Sequence, residues 1–463
     1  MRLAFIKNRK SQSWLIVAGP ISALGMYLVL TSISLPGEVA ITAAITLWCA
    51  FWWIFEPIPI PFTSLLPLAL FPLLGILTPA QVGQAYGSPL ILLLLGGFML
   101  STAMADSGAH RRLALYMVNL FGGGSARGLV LGFMAAAAVL SMWISNTATT
   151  LMLLPVAIAV LDRSEPRLAI PLILGIAYAA SIGGIGTPIG TPPNLVFMQI
   201  YENEFGSSPS FPEWMTWGLP VVILFVPIAG FWLTRGLTLH KPVELPKVGS
   251  WSTYERRVLI MFSLTALCWM TRQEPFGGWS ELLGLPGAND ASVAMLAVVA
   301  MAMIPAGNGR RLLKWESAAK IPWGVLILFG GGIAIAAAFV ETGLADIIAG
   351  NLTALATLPT WLLILSICLF VTFLTEITSN TATSSLLMPL LAATAVASDI
   401  DPMLLMVPAA MSASCAFMLP VATAPNAIMY GSGRVTIRDM VRAGFVLNLI
   451  GAVIITLVAI TVL

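Results

Sequence analysis

Apolar residues run along this chain in long blocks, and the blocks set its elements. A helix that crosses a membrane needs roughly 20 mostly apolar residues. Blocks of that kind occupy 14–34, 38–55, 61–77, 89–107, 168–199, 215–234, 257–272, 289–305, 321–341, 403–430 and 443–463, which predicts 11 transmembrane helices. Two more apolar stretches, 128–161 and 361–398, carry a polar patch in the middle: Ser145-Asn146-Thr147 in one and Ser379-Asn380-Thr381 in the other. Split at the patch, either stretch gives limbs of about 15–17 residues, which reach ~25 Å and fall short of a ~30 Å hydrocarbon core.

The patch is one part of a longer repeat. Leu140-Ser-Met-Trp-Ile-Ser-Asn-Thr-Ala-Thr-Thr-Leu-Met-Leu-Leu-Pro155 is answered 234 positions later by Leu374-Thr-Glu-Ile-Thr-Ser-Asn-Thr-Ala-Thr-Ser-Ser-Leu-Leu-Met-Pro389. Gly96-Gly97 is matched by Gly330-Gly331 at the same offset. Behind the patches, Gly186-Thr-Pro-Ile-Gly-Thr-Pro-Pro-Asn194 is matched by Met418-Leu-Pro-Val-Ala-Thr-Ala-Pro-Asn426, now 232 apart. The paired glycines read as helix-packing contacts. The clustered Pro and Gly interrupt helices 168–199 and 403–430.

Charge threads these blocks. Basic residues collect on the cytoplasmic side of short loops. If 128–161 and 361–398 each enter and leave on one face as re-entrant hairpins, 21 of the 22 basic residues fall inside and Arg272 alone lies outside. Reading the first stretch as a single span breaks that pattern. The N-terminus is then inside and the C-terminus outside. The first hairpin opens inward between Arg127 and Arg163, and the second opens outward between Leu358 and Asp399. One motif approaching from opposite faces marks an inverted-topology repeat. The segments 250–256 and 306–320 read as cytoplasmic connectors, and 108–121 and 342–357 as surface-lying helices. Asn351-Leu-Thr353 is a glycosylation sequon, meaningful only in a eukaryotic secretory host.

Composition agrees with a multi-pass protein of the cell membrane: 58% hydrophobic and 9% charged, against about 25% charged in soluble domains. A net charge of +2 gives no reason to expect nucleic acid. The basic start, Met1 to Lys10, precedes an apolar run too long for a secretory signal, so Trp14–Ile33 reads as the first span. Cys49, Cys268, Cys368 and Cys415 stand singly in apolar runs and read as core residues. His110 and His240 lie among basic residues at span ends. No Ser–His pair, metal cluster or carboxylate pair lies at membrane depth, which argues against an embedded enzyme. Basic pore rings, the mark of an anion channel, are absent from the sequence.

Irregular backbone survives in a membrane only when it is buried in protein or lines a cavity. Two hairpin tips and two interrupted helices, matched between halves, are the pattern of a transporter site near the midplane. A helix beginning at Asn146 or Asn380 turns free N–H groups toward its break and can hold an anion without Arg or Lys. None of the four breaks contains a basic residue, so a lysine or arginine reaching into the cavity they form would undo this reading. Helix ends leave free carbonyls, and with Ser141, Ser145, Thr375 and the Asn amides these suit a hard cation such as Na⁺. Proton coupling would want an acidic relay. Glu376 is the one candidate, and its partner position holds Met142, so it reads as a structural or tuning carboxylate.

The paired Ser-Asn-Thr motifs, Glu376-Ile-Thr-Ser-Asn-Thr381, the Thr191-Pro-Pro-Asn194 turn and Trp53-Ile-Phe-Glu-Pro-Ile-Pro59 resemble the divalent anion/sodium symporter family of INDY-type dicarboxylate carriers. The resemblance runs from about Trp14 to the end. It implies a homodimer working by an elevator motion, with scaffold in 1–121 and 248–357 and transport domain in 122–247 and 358–463. It implies two or more co-transported Na⁺ ions: one held by Ser141, Ser145, Asn146 and a carbonyl near Gly190, another by Thr375, Thr378, Asn380 and the carbonyl of Ala422. Substrate carboxylates would meet Asn146, Thr147, Asn380 and Thr381, with Thr191 and Thr423 closing the site. Succinate, fumarate or malate is the expected cargo. A sodium-independent exchanger or a citrate or sulfate carrier is the alternative.

Overall fold

The computed structural model describes residues 9–121, 125–162, 165–237, 249–273, 277–307, 309–345, 347–348 and 358–463. The described chain is almost wholly helical, and seven of its helical segments are long and apolar enough to cross a membrane. The first is α1 (Arg9–Ser32), which leaves Trp14, Leu24, Leu28 and Val29 exposed and packs on α2 (Gly37–Phe55). Large apolar side chains turned outward along a whole helix suit lipid rather than water.

The block 61–77 is not one span. It divides into α3 (Ile60–Thr63) and α4 (Leu66–Leu73). Pro67 has no N–H for the Thr63 carbonyl and its ring crowds that carbonyl, so the helix stops. Ser64 knots the break: its hydroxyl accepts from Trp53 Nε1 at 3.0 Å and its carbonyl accepts from the Tyr86 hydroxyl. A helix absent from the sequence reading, α5 (Pro79–Tyr86), follows under a Thr78–Gln81 capping box. Then come α6 (Pro89–Ser107) and α7 (Ala109–Phe121). The last is the expected amphipathic helix at 108–121, burying Ala114 and Val118 and exposing Tyr116 and Leu120.

The two patched stretches form helix pairs broken where the hydroxyls fall. α8 (Ala126–Ser141) and α9 (Asn146–Leu161) have 16 residues each. Their counterparts, α18 (Thr360–Thr375) and α19 (Asn380–Ala397), have 16 and 18. Block 168–199 is interrupted as expected, giving α10 (Ala169–Gly183), a 3-10 turn at Gly184–Gly186 and α11 (Pro192–Phe205). Block 403–430 gives α20 (Pro402–Ala413) and the short α21 (Ala424–Gly431). The remaining helices are α12 (Phe211–Leu233), α13 (Thr253–Met270), α14 (Gly278–Leu282), α15 (Asp290–Met303), α16 (Trp315–Ala318), α17 (Trp323–Thr342) and α22 (Ile437–Val462). The basic arm 306–320 holds a small antiparallel ribbon, β1 (Pro305–Gly307) with β2 (Arg310–Arg311), and α16. The described residues at 342–348 do not reach the rest of the surface helix expected at 342–357, and Asn351, His240, Lys241, Lys247 and Arg163 also lie outside the described residues.

The core centres on α10, whose residues Pro171 to Gly183 are all buried, and on α20. Packing between the halves is reciprocal. Limb α9 of the first pair rests on α21 of the second interrupted helix, and limb α19 rests on α11 of the first. This exchange brings the N-termini of α9, α11, α19 and α21 together. Three of the four paired glycines have the predicted packing role: Gly96 meets Ala294, Gly330 meets the Tyr86 ring and Gly331 meets Ser64. Gly97 faces open space and lines a cavity.

Candidate functional site

The four helix N-termini border one cavity of about 960 Å³. Its walls include Ser145, Asn146 and Thr147, then Gly190 and Thr191, then Thr378, Ser379, Asn380 and Thr381, then Ala422 and Thr423. Each helix begins there for a local reason. Ser145 caps α9 by accepting from the Ala148 N–H, and Thr423 caps α21 by accepting from the Asn426 N–H. Thr191 and Ser379 stand at the caps of α11 and α19 without such a bond, although Thr191 accepts a long bond from Ser414 at 3.4 Å. Pro at the first turn of α11 and Pro425 at the start of α21 lock the φ the helix needs.

Beneath the turn of each helix pair the Asn amide meets a cluster of oxygens. The end of the Asn146 amide lies 2.5 Å from Ser141 Oγ, 3.3 Å from the Ala180 carbonyl and 3.2 Å from the Gly190 carbonyl. With its NH₂ turned inward, Asn146 shares two protons among these three acceptors. With Oδ1 turned inward, the same point becomes an all-oxygen cluster suited to a hard monovalent cation. Close approach makes the cluster possible: a Cβ on Gly184 would lie 2.8 Å from Asn146 Oδ1, and one on Gly190 would press into the Gly184 carbonyl. Glycine is needed at both positions. In the second half, the Thr375 hydroxyl lies 2.8 Å from Asn380 Oδ1 and 3.0 Å from the Ala413 carbonyl. One hydroxyl proton cannot serve both, so this cluster too is richer in oxygen than in hydrogen.

Two asparagines hold the interrupted helices in shape. Asn194 Nδ2 donates to the Gly184 and Thr187 carbonyls at 3.0 and 2.8 Å. Asn426 Nδ2 donates to the Ala416 and Leu419 carbonyls, both at 3.0 Å. Donor and acceptors keep the 232-residue offset throughout. Both asparagines are fully buried. The breaks are tied to the turns of the helix pairs differently. In the first half Thr187 donates to the Met142 carbonyl. In the second, Glu376 accepts from the backbone N–H groups of Phe417, Met418 and Leu419 at 2.7, 2.8 and 3.0 Å, and from Asn448 Nδ2 at 2.8 Å. Glu376 is the structural carboxylate that its unmatched position suggested.

The expected residues therefore converge, with three adjustments. The Thr378 hydroxyl is engaged by the Leu374 carbonyl at 2.9 Å and by Thr383 Oγ1 at 2.5 Å, so its side chain is turned away from the Asn380 cluster. The carbonyls of Ala180 and Ala413 join the clusters, which no residue type could announce. The expectation of a cavity free of basic side chains needs correction: Lys320 lines it, as does Glu56. Both are exposed, and each belongs to a loop at a helix end rather than to a break. Glu56 sits in left-handed backbone with φ 44° and ψ 48°, a strained conformation for a residue other than glycine. Among the described lining residues no other side chain is charged.

A family model described as citrate transporter matches residues 50–407. A sodium-dependent dicarboxylate transporter of Staphylococcus saprophyticus is 39% identical over 96% of this chain and 90% of its own length. One of Staphylococcus aureus is 41% identical over 96% of this chain and 89% of its own. Among solved structures, the Alcanivorax borkumensis YdaH transporter superposes with a TM-score of 0.60 at 14% identity, covering 92% of this chain and 98% of that one. Neisseria gonorrhoeae MtrF, titled as illuminating a class of antimetabolite efflux pumps, gives 0.60 at 12% identity, covering 92% and 95%. The two solved structures share the fold and carry no more than that. The chain is a multi-pass membrane transporter and not an enzyme.

Proposed function

The chain belongs to the citrate transporter family, among the divalent anion/sodium symporters, and from that premise we propose that it carries a C4-dicarboxylate such as succinate, fumarate or malate together with sodium. The observation that bears most weight is the pair of matched oxygen clusters, Ser141–Asn146 and Thr375–Asn380, bordering one cavity. Each cluster takes one Na⁺ through neutral oxygens: Asn146 Oδ1, Ser141 Oγ and the carbonyls of Ala180 and Gly190 in the first, and Thr375 Oγ1, Asn380 Oδ1 and the Ala413 carbonyl in the second. Ser145 and Ala422 line the same cavity, and Thr378, its hydroxyl engaged elsewhere, contributes through its backbone.

The dianion sits between them. Its carboxylates meet Asn146, Thr147, Asn380 and Thr381 and the free N–H groups at the starts of α9 and α19, with Thr191 and Thr423 completing the walls. Two sodium charges offset those of the substrate, which makes burial tolerable where no basic side chain lies in a break. Sodium thereby becomes a condition for tight anion binding, and that is the physical basis of coupling.

The finer architecture belongs to the same reading: eleven spans, two re-entrant hairpins, an inverted repeat, the N-terminus inside and the C-terminus outside. Residues 122–247 and 358–463 form a moving transport domain, carried against a scaffold of 1–121 and 248–357 in a homodimer. Glu56 and Lys320 both fall on the side assigned to the cytoplasm, so the cavity opens inward in this conformation. A citrate carrier is the second reading, favoured by the description of the matching family model.

Radiolabelled succinate uptake into proteoliposomes tests the proposal. An inward sodium gradient should drive accumulation, and choline in place of sodium should abolish it. Asn146→Ala and Asn380→Ala should each lose uptake while the protein stays monodisperse. Full uptake by both variants, or uptake indifferent to sodium, would refute the reading, and competition by citrate but not succinate would favour the second.

A further inference from the structure

Beside the main cavity lies a second one of about 230 Å³. The two share part of their lining: Phe98, Ser101, Ser145, Ala148, Lys320 and Pro322 border both. Each cavity has one acidic residue of its own, Glu56 in the larger and Asp106 in the smaller, and neither belongs to the shared wall. The charge on that wall is Lys320 alone. Its other polar groups are the hydroxyls of Ser101 and Ser145, and Ser145 is the cap of α9, whose 16-residue length gives its N-terminus a positive field. No carboxylate lies within ion-pair distance of Lys320 among the described residues.

A cation, two hydroxyls and a helix N-terminus converging on one wall form a surface for a carboxylate. We propose that this wall is a second carboxylate-binding subsite, with Lys320 as its cation, where one end of the dianion docks between the central site and the cytoplasm. This rests on the sodium–dicarboxylate reading and adds a step to it. Substrate leaving the two asparagines meets Lys320 before bulk water, and substrate arriving from inside meets it first. Because Lys320 is exposed, its pull is moderate and screened by salt. It therefore sets how the protein handles cytoplasmic substrate without competing with the central site for it. A strong buried cation there would trap the anion.

The test compares the two faces. Succinate KM is measured in right-side-out and inside-out vesicles at fixed sodium, with ionic strength varied by choline chloride. In the unaltered protein, added salt should raise the cytoplasmic KM more than the external one. Lys320→Gln should raise the cytoplasmic KM by about fivefold, the scale of one partly exposed charge pair, and should flatten its salt dependence. Lys320→Arg should behave like the unaltered protein. A second route restores charge chemically: Lys320→Cys treated with an aminoethyl methanethiosulfonate should regain the lower KM, and treatment with the neutral methyl reagent should not. Equal cytoplasmic KM and equal salt response in Lys320→Gln would overturn the subsite, as would an Arg variant no better than Gln. Failure of the unaltered protein to take up succinate with sodium would instead strike at the central reading, so the two failures are told apart.

Discussion

At the scale of single residues, the two halves of the site differ most at one pair of positions, Met142 and Glu376. Met142 packs its thioether against Gly186, with Cε 3.0 Å from where a Cβ would stand. Glu376 instead gathers four N–H donors from the second break and from α22. A carboxylate has lone pairs for all four, whereas an amide keeps one acceptor oxygen and turns an NH₂ toward donors. Glu376→Gln should therefore leave at least one buried N–H unpaired and cost about 2–4 kcal/mol of stability. Thermal unfolding in detergent reads this directly: Glu376→Gln should melt well below the unaltered protein, and an unchanged melting point would show that the carboxylate does not hold the break. Glu376 was legible as an exception to the repeat, but its four partners were not, because three are backbone N–H groups of the break after α20 and the fourth, Asn448, is brought in from the distant α22. The same reason hid the Ala180 and Ala413 carbonyls. Hydroxyl and amide side chains announce a polar site in an apolar run, while a carbonyl belongs to every residue and acquires meaning only when the chain is folded.

At the scale of elements, the breaks that carry chemistry were readable and one structural break was not. Asn146 and Asn380 open their helices where polarity interrupts an apolar run, and Gly184 to Thr191 shows its interruption through clustered Gly and Pro. The division at Ser64 was hidden because 61–77 is apolar apart from Thr63 and Ser64, so mean hydropathy outweighed the signal of Pro67. Lys320 belongs to a loop whose sequence gives no hint of the cavity, and only the path from α16 into α17 places it there. Away from the cavity, ordinary polar contacts hold the frame. Arg112 of α7 pairs with Glu255 at 2.9 Å and also reaches the Gly249 carbonyl, while Glu255 closes the capping box of α13 with Ser252. Burial alone would raise the Glu255 carboxyl, but Arg112 and the Ser252 bonds outweigh it and hold the group below its ordinary value. A lowered folded value means that the stabilisation is complete above the unfolded glutamate range, about 4.3, and is lost as pH falls through the folded value. The melting-temperature gap between the unaltered protein and Glu255→Gln should therefore be constant near neutrality and close on acidification below about pH 4. A gap that widened toward acid would mean that Glu255 is stabilised by something other than its charge.

At the scale of the whole molecule, the reciprocal packing of α9 on α21 and α19 on α11 has a mechanical consequence. One limb of each helix pair is braced by the interrupted helix of the other half, which ties the four N-termini around the cavity to one another. In the proposed elevator motion that cluster shifts as a unit past its surroundings, rather than one helix pair opening alone. In the conformation described here the cavity reaches Glu56 and Lys320, the side that the basic residues assign to the cytoplasm. Val421 is a suitable probe: it lines the cavity, is 48% exposed, and contributes no oxygen side chain to either cluster. In Val421→Cys, a membrane-impermeant methanethiosulfonate should react from the cytoplasmic face of inside-out vesicles. The buried Cys49, Cys368 and Cys415 should stay silent, with Cys268→Ser included to remove the half-buried one. Sodium with succinate should slow the reaction by filling the cavity, and sodium with choline chloride in place of succinate should slow it less. Labelling confined to the external face would reverse the assigned orientation. Equal labelling from both faces at all times would mean an open pore and would end the alternating-access account.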